Sequence, residues 1–187
     1  MRGWIEHPGQ PLRGWGGIKK DPPPDEPTDH ALGRSRGGWG SKLHLAVDGQ
    51  GIPLAAEVSP GQAHESKWFE EVMNAVRIRQ PLGSARRRPK RVAGDKGYSY
   101  PRIRQWLRER GIKAVIPRRS NERRRGNETF DRESYRRRNV VERCVNWLKE
   151  ARRIGTRYEK LAVNFLAMVK LAIIRRYFRL LDSSDRP

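Results

Sequence analysis

The sequence predicts a mixed-sheet α/β domain, and three observations carry that reading. An alternating hairpin pattern comes first, short apolar runs then alternate with amphipathic stretches, and helical segments close the chain. The 187 residues are enough for one domain with its own core.

Residues 1–33 hold prolines at 8, 11, 22 to 24 and 27 among scattered Gly and Trp, with no strand or helix period, so an irregular leader is expected there. Residues 34–187 form the folded part. Lys42, His44 and Ala46 alternate with Leu43, Leu45 and Val47, Asp48-Gly49-Gln50-Gly51 makes a turn, and Ile52 to Val58 runs back. That is a β-hairpin. After a loop at 59–64, Glu65 to Ile78 reads as a helix with Trp68, Val72 and Val76 or Ala75 on one face.

A basic connection at 81–90 leads to Arg91–Asp95, a short buried strand that ends in a carboxylate before a Gly97 turn. A helix from about Pro101 to Arg110 and a strand from Lys113 to Ile116 follow. The next stretch is so rich in arginine that it should stay solvated until it meets phosphate. A helix then starts near Asp131, with Val141, Val145 and Leu148 as its apolar stripe. After a break at Gly155, Leu161–Ile174 is apolar but for Asn164 and Lys170. It is too short for a bilayer span of about 20 residues and is expected to lie buried against a sheet.

Lys and Arg number 41 against 21 Asp and Glu, for a net charge of +20 and a pI near 11.2. Such a field draws polyanions before any specific contact forms. Ten arginines lie between positions 118 and 143. With about six of them on phosphate, log K falls with log salt at a slope of about −5. Zinc-ligand spacing, a helix-turn-helix pattern and RNA-binding signatures are all absent from the sequence. The one cysteine, Cys144, excludes an intrachain disulfide, and no secretory signal pattern is visible, so a cytoplasmic, nucleoid-associated location is expected.

Tyr135, Arg138, Glu142 and Lys149 are spaced Y-x2-R-x3-E-x6-K, which on one continuous helix gathers them into an arc about 60° wide. A carboxylate flanked by two cations and a phenol suits phosphate chemistry, though a glutamate among arginines also serves plain charge balance. This spacing resembles the signature around the last acidic residue of DDE-type insertion-sequence transposases. Val92-Ala93-Gly94-Asp95-Lys96-Gly97-Tyr98 resembles the strand that carries their middle aspartate, and Leu32 to Gly38 resembles the approach to their hairpin. The likeness runs from about Lys20 to Leu181.

The resemblance implies a ribonuclease-H-like mixed sheet flanked by helices, and metal-assisted cleavage and joining of insertion-sequence DNA ends. It implies Asp95 and Glu142 as catalytic residues and ligands of Mg²⁺ or Mn²⁺, with Tyr135, Arg138 and Lys149 on DNA phosphates. Carboxylate oxygens suit such hard ions, and two ions can activate the attacking oxygen and stabilise the leaving one. DNA ends and target DNA are the implied partners, with a second copy or an upstream-frame product as protein partner, and no membrane.

The first acid of the family stands on a strand before the hairpin, and only the irregular leader is available there. Asp21, Asp25 and Asp29 lie among prolines, and Asp48 sits where aspartate before glycine is ordinary turn chemistry. The chain is therefore expected to lack its first strand and first catalytic aspartate, as a remnant or a frameshift-split product with little activity alone. His64 and Glu65 rank low as site residues. The rival reading is a noncatalytic basic DNA- or RNA-binding module.

Overall fold

The computed structural model describes residues 2–6, 12–13, 29–35, 38–79, 82–85, 88–120 and 129–184. The strands are β1 (Arg2–Glu6), β2 (Leu12–Arg13), β3 (Gly33–Ser35), β4 (Gly38–Asp48), β5 (Pro53–Pro60), β6 (Arg91–Ala93) and β7 (Lys113–Val115). The helices are α1 (Glu65–Ala75), α2 (Pro101–Glu109), α3 (Arg132–Arg136), α4 (Asn139–Glu150), α5 (Arg152–Gly155) and α6 (Ala162–Ser184), with a 3-10 turn at Lys96–Tyr98. The chain forms two compact units.

The first unit takes residues 1–7, 44–55 and 64–144. Its sheet centres on β1, which pairs antiparallel with β4 (Gly3 opposite Asp48) and parallel with β6 (Trp4 opposite Ala93). β7 lies parallel beside β6, with Val92 opposite Ala114. Phe69 and Met73 of α1, Ile103, Trp106 and Leu107 of α2, and Val92, Tyr98, Ile112 and Ile116 make one buried cluster. Val72 and Val76 pack with Ala46 of β4 in a second. Each fully buried large apolar side chain contributes about 1.5–3 kcal/mol relative to exposure.

Local chemistry explains the helix ends. Pro101 opens α2 at a position where its missing N–H is no loss, and Gly111, at φ +62°, turns the chain into β7 while Ile112 N donates to Leu107 O at 2.8 Å. α1 stops at Ala75, short of the expected Ile78, because Val76 takes an extended conformation and buries its side chain.

The second unit takes residues 8–43, 56–63 and 145–187. Here β2 and β3 both pair antiparallel with the start of β4, through Arg13 and Gly33 opposite Gly40. Arg157 is buried at 3% exposure and makes four hydrogen bonds. Its guanidinium donates to His30 O at 2.6 Å, Lys160 O at 2.8 Å, Glu159 O at 2.8 Å and the Ser41 hydroxyl. Burial pulls its pKa below the usual arginine value.

Two expectations need correction. Arg2–Glu6 is a strand, so the first strand is present where an irregular leader was expected. Five residues with only Trp and Ile as strand formers carry a weak local signal, and pairing on both edges overrides it. The hairpin forms with its turn as expected, and His44 on it is buried at 1%, with Trp68 of α1 stacked on it at 5.6 Å. α6 buries Phe165 and Val169 but exposes Leu171, Ile174, Phe178 and Leu181, so it is not covered all round. Among the described residues no helix is long and apolar enough to cross a membrane. Residues 14–28, including Asp21 and Asp25, and residues 121–128 of the arginine-rich stretch lie outside the described residues.

Replacing Arg157 by Lys keeps the charge but loses the fork that reaches four acceptors. We expect Arg157→Lys to lower stability by about 2 kcal/mol or more in urea unfolding. Phe178→Ser, on the exposed side of α6, should change it by less than about 0.5 kcal/mol.

Candidate functional site

The four signature residues do not share one helix. Tyr135 ends on α3, Arg138 sits in the turn after it, and Glu142 and Lys149 belong to α4. Asn139 is a poor interior helix former, and the chain breaks at Arg137 and Arg138 just before it. Arg138 N donates to Tyr135 O at 3.0 Å and Val141 N to Arg138 O at 3.0 Å, which carries the chain through a tight turn.

The break still brings three of the four side chains together. The Arg138 guanidinium lies 5.7 Å from the Tyr135 ring centroid and donates from Nη2 to Glu142 Oε1 at 2.8 Å. Arg138 is 19% exposed and Glu142 54%, so the arginine is the better-held partner and presents the carboxylate to solvent. The Tyr135 ring rests against Phe130 at 5.3 Å. Lys149 stands two turns farther along α4, about 10 Å by helix rise. Val141, Val145 and Leu148 are buried, as their spacing predicts.

Asp95 follows β6 in an extended conformation and caps the 3-10 turn, its Oδ1 accepting from Gly97 N at 2.8 Å. A Cβ at Gly97 would lie 2.9 Å from that oxygen, so a larger residue there would push the carboxylate aside. Asp48 is turn chemistry, as expected: its Oδ1 accepts from Gln50 N at 2.8 Å and Ile52 N at 2.9 Å.

Two features were not legible beforehand. The register that sets Trp4 opposite Ala93 carries the end of β1, at Glu6, beside the turn that holds Asp95. No sequence signal marks Glu6, since its position depends on strand pairing alone. His64, ranked low from sequence, caps α1 and meets the Tyr100 hydroxyl at 3.0 Å through Nε2 and the Ser66 hydroxyl at 2.9 Å through Nδ1. The Arg119 guanidinium lies 4.3 Å over the Tyr100 ring. Glu65, buried at 8% exposure, stands with a carboxylate oxygen 3.8 Å from His64 Nδ1.

The start of α3 is fixed by Asp131. Its carboxylate accepts from Ser134 N at 2.9 Å and Arg91 Nη1 at 3.0 Å, with Lys113 Nζ at 3.8 Å. The hydrogen bonds from the Ser134 amide and hydroxyl, then Lys113 and Arg91, hold its pKa below the usual aspartate value against the opposing effect of burial. Among the described residues, no three His, Cys, Asp or Glu side chains are grouped to hold a metal ion. Asp95 and Glu142 are carboxylates of the right hardness for Mg²⁺, each with an oxygen outside the bonds given above.

Over residues 20–176 the sequence matches the family described as Transposase DDE domain. It is 35% identical over 160 residues to a putative transposase for insertion sequence element IS402 of Burkholderia cepacia, covering 85% of this chain and 68% of that one. A putative transposase for insertion sequence element IS6501 of Brucella ovis is 27% identical over 139 residues, or 74% of this chain and 98% of the relative. Among solved structures, a piggyBac transposase synaptic complex with hairpin DNA is similar at a TM-score of 0.38 and 17% identity, over 68% of this chain and 26% of that one.

A depressed aspartate pKa adds stability that is present above the unfolded value and is lost as pH falls through the folded one. The wild type should therefore lose part of its stability below about pH 4 through Asp131. Asp131→Asn should be less stable at neutral pH and show a flatter acid limb, read from thermal midpoints across the acid range.

Proposed function

This chain belongs to the transposase DDE-domain family, and from that premise we propose that Asp95 and Glu142 are its reacting-site carboxylates. DNA transposition, by cleavage and joining of DNA strands, is the function of the family. The observation that carries the assignment is the contact chain Tyr135–Arg138–Glu142, in which a guanidinium held on an aromatic face orients one carboxylate.

Arg138 positions Glu142 and, with Lys149, offers positive charge to a phosphate; Arg suits bidentate contact and Lys a point charge. Tyr135 donates to a phosphate or stacks on a displaced base. Mg²⁺ or Mn²⁺ held by Asp95 and Glu142 supplies Lewis acidity and an activated oxygen nucleophile when bound. Glu6, at the end of β1, is the carboxylate that strand register offers as a third member. A hairpin antiparallel to β1 and two strands parallel to it support a ribonuclease-H-like reading of the sheet. DNA ends and target DNA are the partners, which places the protein at the nucleoid.

A noncatalytic DNA- or RNA-binding module is the second reading, supported by the net charge of +20. The test uses a supercoiled plasmid carrying the genomic DNA that flanks the coding sequence, with and without Mg²⁺. Nicking that requires Mg²⁺ and falls at least about 10²-fold in Asp95→Ala and Glu142→Ala supports the first reading. Arg138→Gln, which acts through Glu142, should cost about 10- to 100-fold. Glu6→Gln matching Asp95→Ala identifies the third acid. A folded wild type that binds the plasmid but never nicks it sinks the catalytic assignment.

A further inference from the structure

A cleft of about 640 Å³ lies along β7, the last strand of the sheet path in the first unit. Arg104 and Arg108 of α2, Lys113 of β7, Arg118 and Arg132 line it. Asp131, the one acid among the described residues of the wall, is engaged by Arg91, Lys113 and Ser134, so its charge is already countered. Arg104 is fixed by bonds from Nη2 to Ser99 Oγ at 2.8 Å and Ile116 O at 3.0 Å. Arg108 and Arg132 stand exposed at the cleft mouth.

We propose that this cleft binds one strand of DNA, with phosphates on its cations and a base on Phe130. The inference rests on the DNA-handling role proposed above, and none of Asp95, Tyr135, Arg138, Glu142 or Lys149 lines the cleft. Two observations select a strand over a small anion. The lining cations are spread over α2, β7, the segment after it and α3, whereas a single phosphate needs its donors gathered at one point. The lining is also mixed in character. Phe130, 41% exposed, offers an aromatic face to stack on beside the cations. Cations beside an exposed aromatic ring suit a strand whose bases turn inward.

The strand also explains an otherwise exposed liability. Among the described residues nothing pairs with the far edge of β7, and a lysine and arginines along such an edge discourage another β-strand while attracting phosphate.

The test is binding of a fluorescent oligo-dT by the full chain across a salt series. Arg108→Gln with Arg132→Gln should make the log K against log salt slope shallower by about 1.4, from two lost phosphate contacts at about 0.7 each. Arg175→Gln with Arg179→Gln on α6 removes the same charge elsewhere and should leave the slope unchanged. Phe130→Ala should weaken binding about 5- to 150-fold with the slope intact, as expected for lost base stacking. An equal slope change in both double variants, or none in the cleft variant, overturns the proposal, as does a wild type that does not bind oligo-dT. Plasmid nicking by the wild type, and its loss in Asp95→Ala, decide the catalytic reading independently of these results.

Discussion

β4 is the constraint on which the rest of the fold depends. Four strands, β1, β2, β3 and β5, pair with its eleven residues, so both of its edges are occupied. Leu43 to Val47 are also all buried, with α1 covering one face through Trp68, Val72 and Val76. A strand wedged against β4 on one side has its other edge free, and β6 takes that edge of β1. The position of Asp95 at the end of β6 follows from that chain of pairings. Backbone N–H and C=O groups buried in a sheet must find partners, and this requirement propagates outward strand by strand.

The charge of the chain is organised rather than merely abundant. Some arginines are structural: Arg157 holds three carbonyls and a hydroxyl in the second unit, and Arg104 ties α2 to the exit of β7. Others orient carboxylates, as Arg138 does Glu142 and Arg91 does Asp131. Others again, Arg108 and Arg132, face solvent along a cleft. A guanidinium offers five donors in a rigid fork, which is why one residue type serves all three purposes.

The break between α3 and α4 leaves three of the signature residues in contact. On an unbroken helix Tyr135, Arg138 and Glu142 would already be i,i+3 and i,i+4 neighbours. The turn at Arg137 and Arg138 keeps the guanidinium between ring and carboxylate, with only a fifth of the arginine side chain exposed. Glu142 is 54% exposed, so solvent screens the pair and its contribution stays near that of an exposed i,i+4 pair.

Periodicity and turn chemistry determined much by themselves. The hairpin at 42–58, the cap chemistry of Asp48, the helix opened by Pro101 and the buried stripe of Val141, Val145 and Leu148 follow from local pattern, because those signals act over a few residues. The charge and the Y-x2-R-x3-E-x6-K spacing likewise marked the family without any coordinates. Tertiary structure alone decided the rest. Arg2–Glu6 became a strand because two strands offered it unpaired backbone, His64 met Tyr100 across 36 residues, and the basic cleft drew its cations from α2, β7 and α3. α6 left its Leu171 side open although its composition reads as core. Pairing partners and burial are set by distant segments, and no local pattern encodes them.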